Sequence, residues 1–245
     1  MRSSNPVLSR SDAFQVPVDQ LEQMYAMPQR MTIDDVVMRT GALLGIIAVT
    51  GTIGWVAQSP MLFIPAMLVA LVLGLVAAFQ RMPHPALVVA YAGCEGLFLG
   101  TVSRFFEDAY PGIVAQAVLG TGACFAGVLV AYRAGWIKAT PRFRKVIVSA
   151  MMGIALLYAV NLMLGMFGGG NGLPVINDST PLGILFSVAV VTIAAVSFVL
   201  DFDLIEEAIR GGAPERFGWK AAFGLVVGLV WLYLELLRLL SKLRD

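Results

Sequence analysis

From residue 38 to residue 241 the chain is a succession of apolar runs. Each approaches or exceeds the roughly 20 residues a helix needs to cross a bilayer core. They cover about 38–57, 61–80, 85–106, 112–133, 145–167, 182–208 and 219–241. In lipid, every backbone N–H and C=O must be satisfied within the protein, so only helices and closed barrels can span. Strands of a membrane barrel alternate apolar and polar residues. These runs are continuous, which leaves helices. Turn signals separate them at Ser59-Pro60, Pro83-His84-Pro85, Pro111-Gly112, Pro141, the stretch GGGNGLPVINDSTP at 168–181, and Gly211-Gly212-Ala213-Pro214. No fixed-period repeat is present. The expected fold class is an all-α membrane protein, a seven-transmembrane helix bundle.

Composition agrees. Charged residues make up 13% of the chain, about half the ~25% of a soluble domain, and the mean hydropathy is +0.82. The net charge of +1 averages two faces of a membrane and says little about partners. The basic residues are scattered, with one cluster between two spans, so nothing reads as a nucleic-acid surface. Cys94 and Cys124 sit in separate apolar runs beside a single histidine in the whole chain, His84. They read as small buried hydrophobes, and His84, between prolines in a link, reads as a surface residue.

Residues 1–30 are polar, with Pro6, Pro17 and Pro28, and lack the apolar core of a secretory signal. They are expected to form a mobile cytoplasmic tail, with 18–27 (VDQLEQMYAM) able to form a short amphipathic helix on the membrane surface. Thr32 followed by Asp35 resembles a helix N-cap with an acidic first turn. Residues 31–245 are then the transmembrane domain.

Lys and Arg concentrate in alternate links, which orients the bundle. The tail has Arg2, Arg10, Arg30 and Arg39; the second link has Arg81. The fourth has Arg133, Lys138, Arg142, Arg144 and Lys145, and the sixth Arg210, Arg216 and Lys220. The other links are poor in positive charge. The reading is a cytoplasmic N-terminus and seven crossings; Lys242 and Arg244 at the far end pull the other way. Small residues recur four apart, as Gly41/Gly45, Gly96/Gly100 and Gly224/Gly228. They are expected to allow close helix packing within the chain rather than dimerisation.

The chemistry concentrates in the last hairpin, Ser197 to Leu240. Intramembrane carboxylates are costly, and by default they mark an ion path, proton relay or gate. Asp201 follows the unbroken run VTIAAVSFVL; Asp203 lies two residues on, on another side of the helix; Glu206 and Glu207 read as a solvated helix end. On the last span Gly224, Gly228, Trp231, Glu235 and Arg238 follow one helical face. Glu235 therefore points into the bundle, or else pairs with Arg238 one turn away. Glu95, in YAGCEGLFLG, is the deepest acid outside the hairpin; an ion site or a hydrogen bond to a neighbouring helix accounts for it equally. Asn161 and Gln116 are explained by interhelical hydrogen bonds. Two carboxylates close together in low dielectric share a proton. Such a pair can close two helices when protonated, and admit a cation when not. Oxygen-only ligands also suit Ca²⁺.

The runs Asp201-Phe202-Asp203-Leu204-Ile205 and Trp231-Leu232-Tyr233-Leu234-Glu235 carry a resemblance. The chain resembles the Bax inhibitor-1 (transmembrane BAX inhibitor motif) family over about 30–242, and looks most like a bacterial branch sharing the start MRSSNP and the lead-in MTIDDVV. Asp201 and Ile205 match the family's sixth-helix motif. Leu232-Tyr233-Leu234-Glu235 matches the seventh, with glutamate in place of aspartate, and YAGCEGLFLG is similar to the third helix. The resemblance implies a bundle whose last helix is central, in a bacterial cytoplasmic membrane. It also implies a pH-sensitive calcium leak gated by a buried pair, Asp201 with Glu235, which could also bind Ca²⁺, and no required cofactor. In some members an arginine of the second helix latches the pair, a role only Arg81 could fill. Asp203, Glu95 and Arg238 are secondary candidates. The spacing departs from the family: Asp201 is 13 residues before Pro214 and Glu235 is 21 after it. Straight helices ending at the turn would leave them roughly 12 Å apart in depth.

The resemblance also implies an alternative: a membrane interaction protein without transport, modulating a membrane-bound protease through its tail and basic fourth link. An intramembrane aspartyl protease is disfavoured, because the Tyr-Asp and Gly-x-Gly-Asp motifs are absent. The expectation is that the chain is not an enzyme.

Overall fold

The structure is a computed structural model that describes residues 30–57, 60–167 and 172–245. The expected tail and its amphipathic helix fall almost entirely outside the described residues, as do 58–59 and 168–171. The described elements are α1 (Ile33–Ala57), α2 (Pro60–Phe79), α3 (Pro85–Ala109), α4 (Ile113–Arg133), α5 (Pro141–Phe167), the four-residue α6 (Pro174–Asn177), α7 (Pro181–Arg210) and α8 (Phe217–Lys242). Six of them, α1, α3, α4, α5, α7 and α8, are long and apolar enough to cross a membrane, and α2 contributes a shorter apolar helix, Phe63–Phe79. The all-helical class holds. The expected seven spans appear as six candidate spans and one shorter helix, with α6 interrupting the link expected to be open.

Local chemistry sets the helix starts. Thr32 and Asp35 form a reciprocal cap: the Thr32 amide donates to Asp35 Oδ2 at 2.9 Å and the Asp35 amide to Thr32 Oγ1 at 3.2 Å. That is the geometry of a capping box. Proline at the first helical position lacks an N–H that would have gone unpaired and has φ preset for a helix. So Pro85, Pro141 and Pro181 open helices, where the sequence had marked Pro141 as a separator. His84, expected as a surface residue, is exposed and also caps α3: its Nδ1 accepts from the Ala86 amide at 3.2 Å. Thr140 and Thr180 do the same for α5 and α7, each accepting an amide at 3.2 Å.

Close packing comes from glycines where α1 and α3 run side by side. A Cβ on Gly100 would lie 1.9 Å from the Gly51 carbonyl oxygen, and one on Gly54 would lie 2.2 Å from that of Leu97. Only glycine permits that backbone separation. Gly96/Gly100 therefore packs within the chain, as expected, whereas Gly41 and Gly45 face open space.

The last helix is the centre. α8 packs on α7, α1, α4 and α3, and its Ala222, Val226, Leu232 and Leu237 are fully buried. One core cluster joins it to α1 and α3 through Leu43, Tyr91, Phe223 and Val226. Another joins it to α7 through Phe198, Phe202 and Leu225. The two ends of the chain's described part are tied to opposite faces. On one face the Met31 amide donates to the Ala213 carbonyl at 2.9 Å, and Arg39 bonds Glu215 while its guanidinium lies 5.3 Å from the Trp219 ring centre. On the other, Arg244 donates to the Pro111 carbonyl and to Gln116, both at 2.9 Å. Asp245 accepts from Tyr110 and from Ser179. Arg30 and Asp245 thus lie at opposite ends of the helix bundle.

Candidate functional site: carboxylates at two depths

Glu235 sits on the innermost stripe of α8 and is 3% exposed. Leu232 and Leu237 on the same helix, both fully buried, hold that stripe inward. A charge there needs partners, and two are present. The Tyr158 hydroxyl of α5 donates to both Glu235 oxygens, at 2.9 and 2.8 Å. Arg238 Nη1 lies 3.4 Å from Oε1, and its guanidinium stands 4.9 Å from the Tyr158 ring centre. Both readings of Glu235 hold together: it faces the bundle, and it pairs with Arg238 at the i, i+3 spacing. Lys242, one turn further on, is buried and donates to the Gly183 carbonyl at 3.2 Å.

Asp201 is half-buried on α7 and has no hydrogen bond or ion pair among the described residues. Asp203, two residues on, forms an ion pair with Arg144 of α5 at 3.0 Å. Glu206, beyond it, accepts from the Tyr132 hydroxyl at 3.1 Å.

Asp201 and Glu235 are not brought together. A Cβ on Gly228 of α8 would lie 2.8 Å from the Phe198 ring of α7, which sets the register of the two antiparallel helices. From that contact Asp201 is three residues toward the α7–α8 link and Glu235 seven residues away from it. At 1.5 Å per residue they differ in depth by about 15 Å. A second ruler agrees. On α5 the partner of Asp203 and the partner of Glu235 are 14 residues apart, about 21 Å; on the α7–α8 path the same two acids are separated by 12 residues, about 18 Å. The link 211–216 does not absorb the mismatch foreseen from sequence, because α7 continues unbroken to Arg210 and α8 starts at Phe217. In this geometry the two cannot jointly chelate a Ca²⁺ ion, which takes 6–8 oxygens. Among the described residues no group of three or more His, Cys, Asp or Glu is placed to hold a metal.

The other candidates are dispersed. Arg81 is exposed in the α2–α3 link and makes no ion pair among the described residues, so no latch forms. Glu95 lines a cavity between α2, α3 and α8 and has no hydrogen-bond partner among the described residues; the expected alternative, a bond to a neighbouring helix, is not made. Asn161 accepts from the Leu173 amide at 2.7 Å, tying the link after α5. Cys94 and Cys124 are free.

Sequence reasoning missed Tyr158, Arg144 and Arg39. Tyr158 sits inside an apolar run, where one aromatic reads as lipid-facing or core. Arg144 was counted only as topogenic charge, and Arg39 only as part of the tail.

No curated protein matches the chain. The family model described as Bax inhibitor 1 like matches residues 5–245, nearly the whole length. By that match over nearly its whole length, the chain belongs to the Bax inhibitor 1 like family.

Proposed function

We propose that this protein is a pH-sensitive cation leak of a bacterial cytoplasmic membrane, with Ca²⁺ as cargo and the N-terminal side cytoplasmic. The observation that carries the reading is the clamp on Glu235. A carboxylate at membrane depth is held by a tyrosine of one helix and an arginine of its own, while Asp201, on the neighbouring helix, has no partner among the described residues. The two act as successive stations for one ion rather than as a single shared-proton pair. Glu235, with Tyr158, Arg238 and Lys242 around it, is the closed station. Loss of the Glu235 charge would remove its attraction to Arg238 and weaken, without abolishing, the hydrogen bond from Tyr158 that ties α5 to α8. Asp201 is the open station on the side of the basic links, where its single charge attracts a cation arriving from that face.

The separation of the two acids also argues against peptide hydrolysis, since an aspartyl dyad needs both carboxyls in one site sharing a proton.

Calcium flux into proteoliposomes across pH tests the proposal. The expected result is a pH-dependent flux that Asp201→Asn lowers and whose pH response Glu235→Gln shifts. If both variants fold and leave flux and pH response unchanged, the assignment is wrong. If flux is absent and removing residues 1–30 abolishes an effect on a membrane protease, the protein is instead an interaction partner of that protease.

A further inference from the structure

Glu95 poses a separate problem. Two contacts set the register of α3 against α8: Ser103 Oγ lies 2.5 Å from the Tyr233 hydroxyl, and Tyr91 meets Phe223 edge-on at 5.1 Å. Glu95, one turn past Tyr91, is therefore level with about residues 225–227 of α8. Asp201 falls level with about residue 225 by the Phe198–Gly228 contact. Two membrane-depth carboxylates without partners among the described residues thus stand at one depth, on opposite sides of α8.

The Glu95 side holds a cavity of about 550 Å³, within the 300–1,000 Å³ range of small-molecule sites. It exists because α2 packs along α3 and scarcely against α8. Apart from Glu95 and Lys220 its walls are apolar, aromatic or glycine, with Tyr91 and Trp231 supplying rings. Lys220 does not neutralise Glu95. Its Nζ donates to the carbonyls of Ala77, Ala78 and Gln80 at 2.9, 2.6 and 3.0 Å, which uses all three ammonium protons. Leu71 and Leu75, lining the cavity, are 57% and 50% exposed, so it is reached from the membrane side.

A single carboxylate in apolar walls is a poor site for Ca²⁺, which needs several oxygens. It suits a ligand with one diffuse positive charge and an apolar body, for which the aromatic faces add cation–π attraction. We propose that this cavity binds a hydrophobic organic cation, with Glu95 as its counter-ion and Tyr91 and Trp231 as its aromatic walls. The inference stands on the cavity and does not depend on the leak.

The test is equilibrium binding of tetraphenylphosphonium to the full chain in nanodiscs of neutral lipid, against empty nanodiscs. Saturable binding is expected. Glu95→Gln should weaken it at least tenfold, and Asp201→Asn should leave it unchanged. Tetraphenylborate, of the same shape and opposite charge, should show no saturable binding when titrated by itself. Gly224→Val adds bulk to a lining position where a Cβ meets nothing within 4 Å, and should also weaken binding at least tenfold. Absence of saturable tetraphenylphosphonium binding, equal affinity in Glu95→Gln, or saturable binding of tetraphenylborate titrated by itself overturns the proposal. If Glu95→Gln does not fold, Gly224→Val decides: unchanged affinity there overturns it.

Discussion

The Tyr158 hydroxyl reaches both oxygens of Glu235, at 2.9 and 2.8 Å, and joins α5 to α8 at a point where the two helices otherwise pack little. Removing the hydroxyl leaves a buried carboxylate with only the longer Arg238 contact. Tyr158→Phe should destabilise by about 1–3 kcal/mol, the range for orphaning a buried polar group. In Tyr158→Phe/Glu235→Gln part of that loss should return, because the unpaired charge is gone. Thermal unfolding of both single variants and the double variant in detergent measures the coupling; additive losses would show that the bond contributes nothing.

The glycine contact of α1 with α3 makes a sharper prediction. Gly100→Ala places a methyl 1.9 Å from a backbone oxygen that cannot move aside cheaply. Overpacking costs about 1–3 kcal/mol and sometimes more, and with backbone on both sides the upper end is expected. Gly93→Ala and Gly122→Ala, whose Cβ positions are open, should be neutral. Comparative melting of the three variants checks this.

Arg39 anchors α1 to the α7–α8 link. It bonds the Glu215 carbonyl and carboxylate and lies over Trp219, beside Gly218, where a Cβ would lie 2.2 Å from Nη1. Its side chain is 14% exposed and Glu215's is 36%, so the pair is partly screened and a loss of about 1–2 kcal/mol is expected for Arg39→Ala. Arg39→Lys should not restore it, since a lysine cannot span the same fork or stack on the ring. Protease sensitivity of the 211–216 link would report the loosening.

On the other face, hydrogen bonds from Tyr110 and Ser179 hold the Asp245 carboxyl below its ordinary value. A depressed acid contributes stability above its ordinary pKa and loses it as pH falls through the lowered one. Contacts of residues 241–245 should therefore persist at neutral pH and open only in strong acid. In Tyr110→Phe they should open at a higher pH. Hydrogen exchange of that segment against pH gives the comparison. An opening midpoint that does not rise in Tyr110→Phe would assign the contact to other groups.

Much of this was legible in the chain. Run length and continuity required membrane helices, because lipid leaves the backbone no other partner. The Thr32–Asp35 cap and the inward face of Glu235 follow from spacing within one helix. These are properties of one helix or its end, and the periodicity of a single helix is written in its own residues.

What only the tertiary structure decided is the depth of each acid relative to the others. Motif spacing put Asp201 and Glu235 on neighbouring helices, yet their relative height depends on where α7 and α8 slide to rest. A phenyl ring against a glycine, Phe198 on Gly228, sets that. The same slide leaves Glu235 to Tyr158 of a third helix, Asp203 to Arg144, and Glu95 and Asp201 at one level on two sides of α8. Sequence determines which residues a helix buries; interlocking side chains between helices determine which buried charges meet.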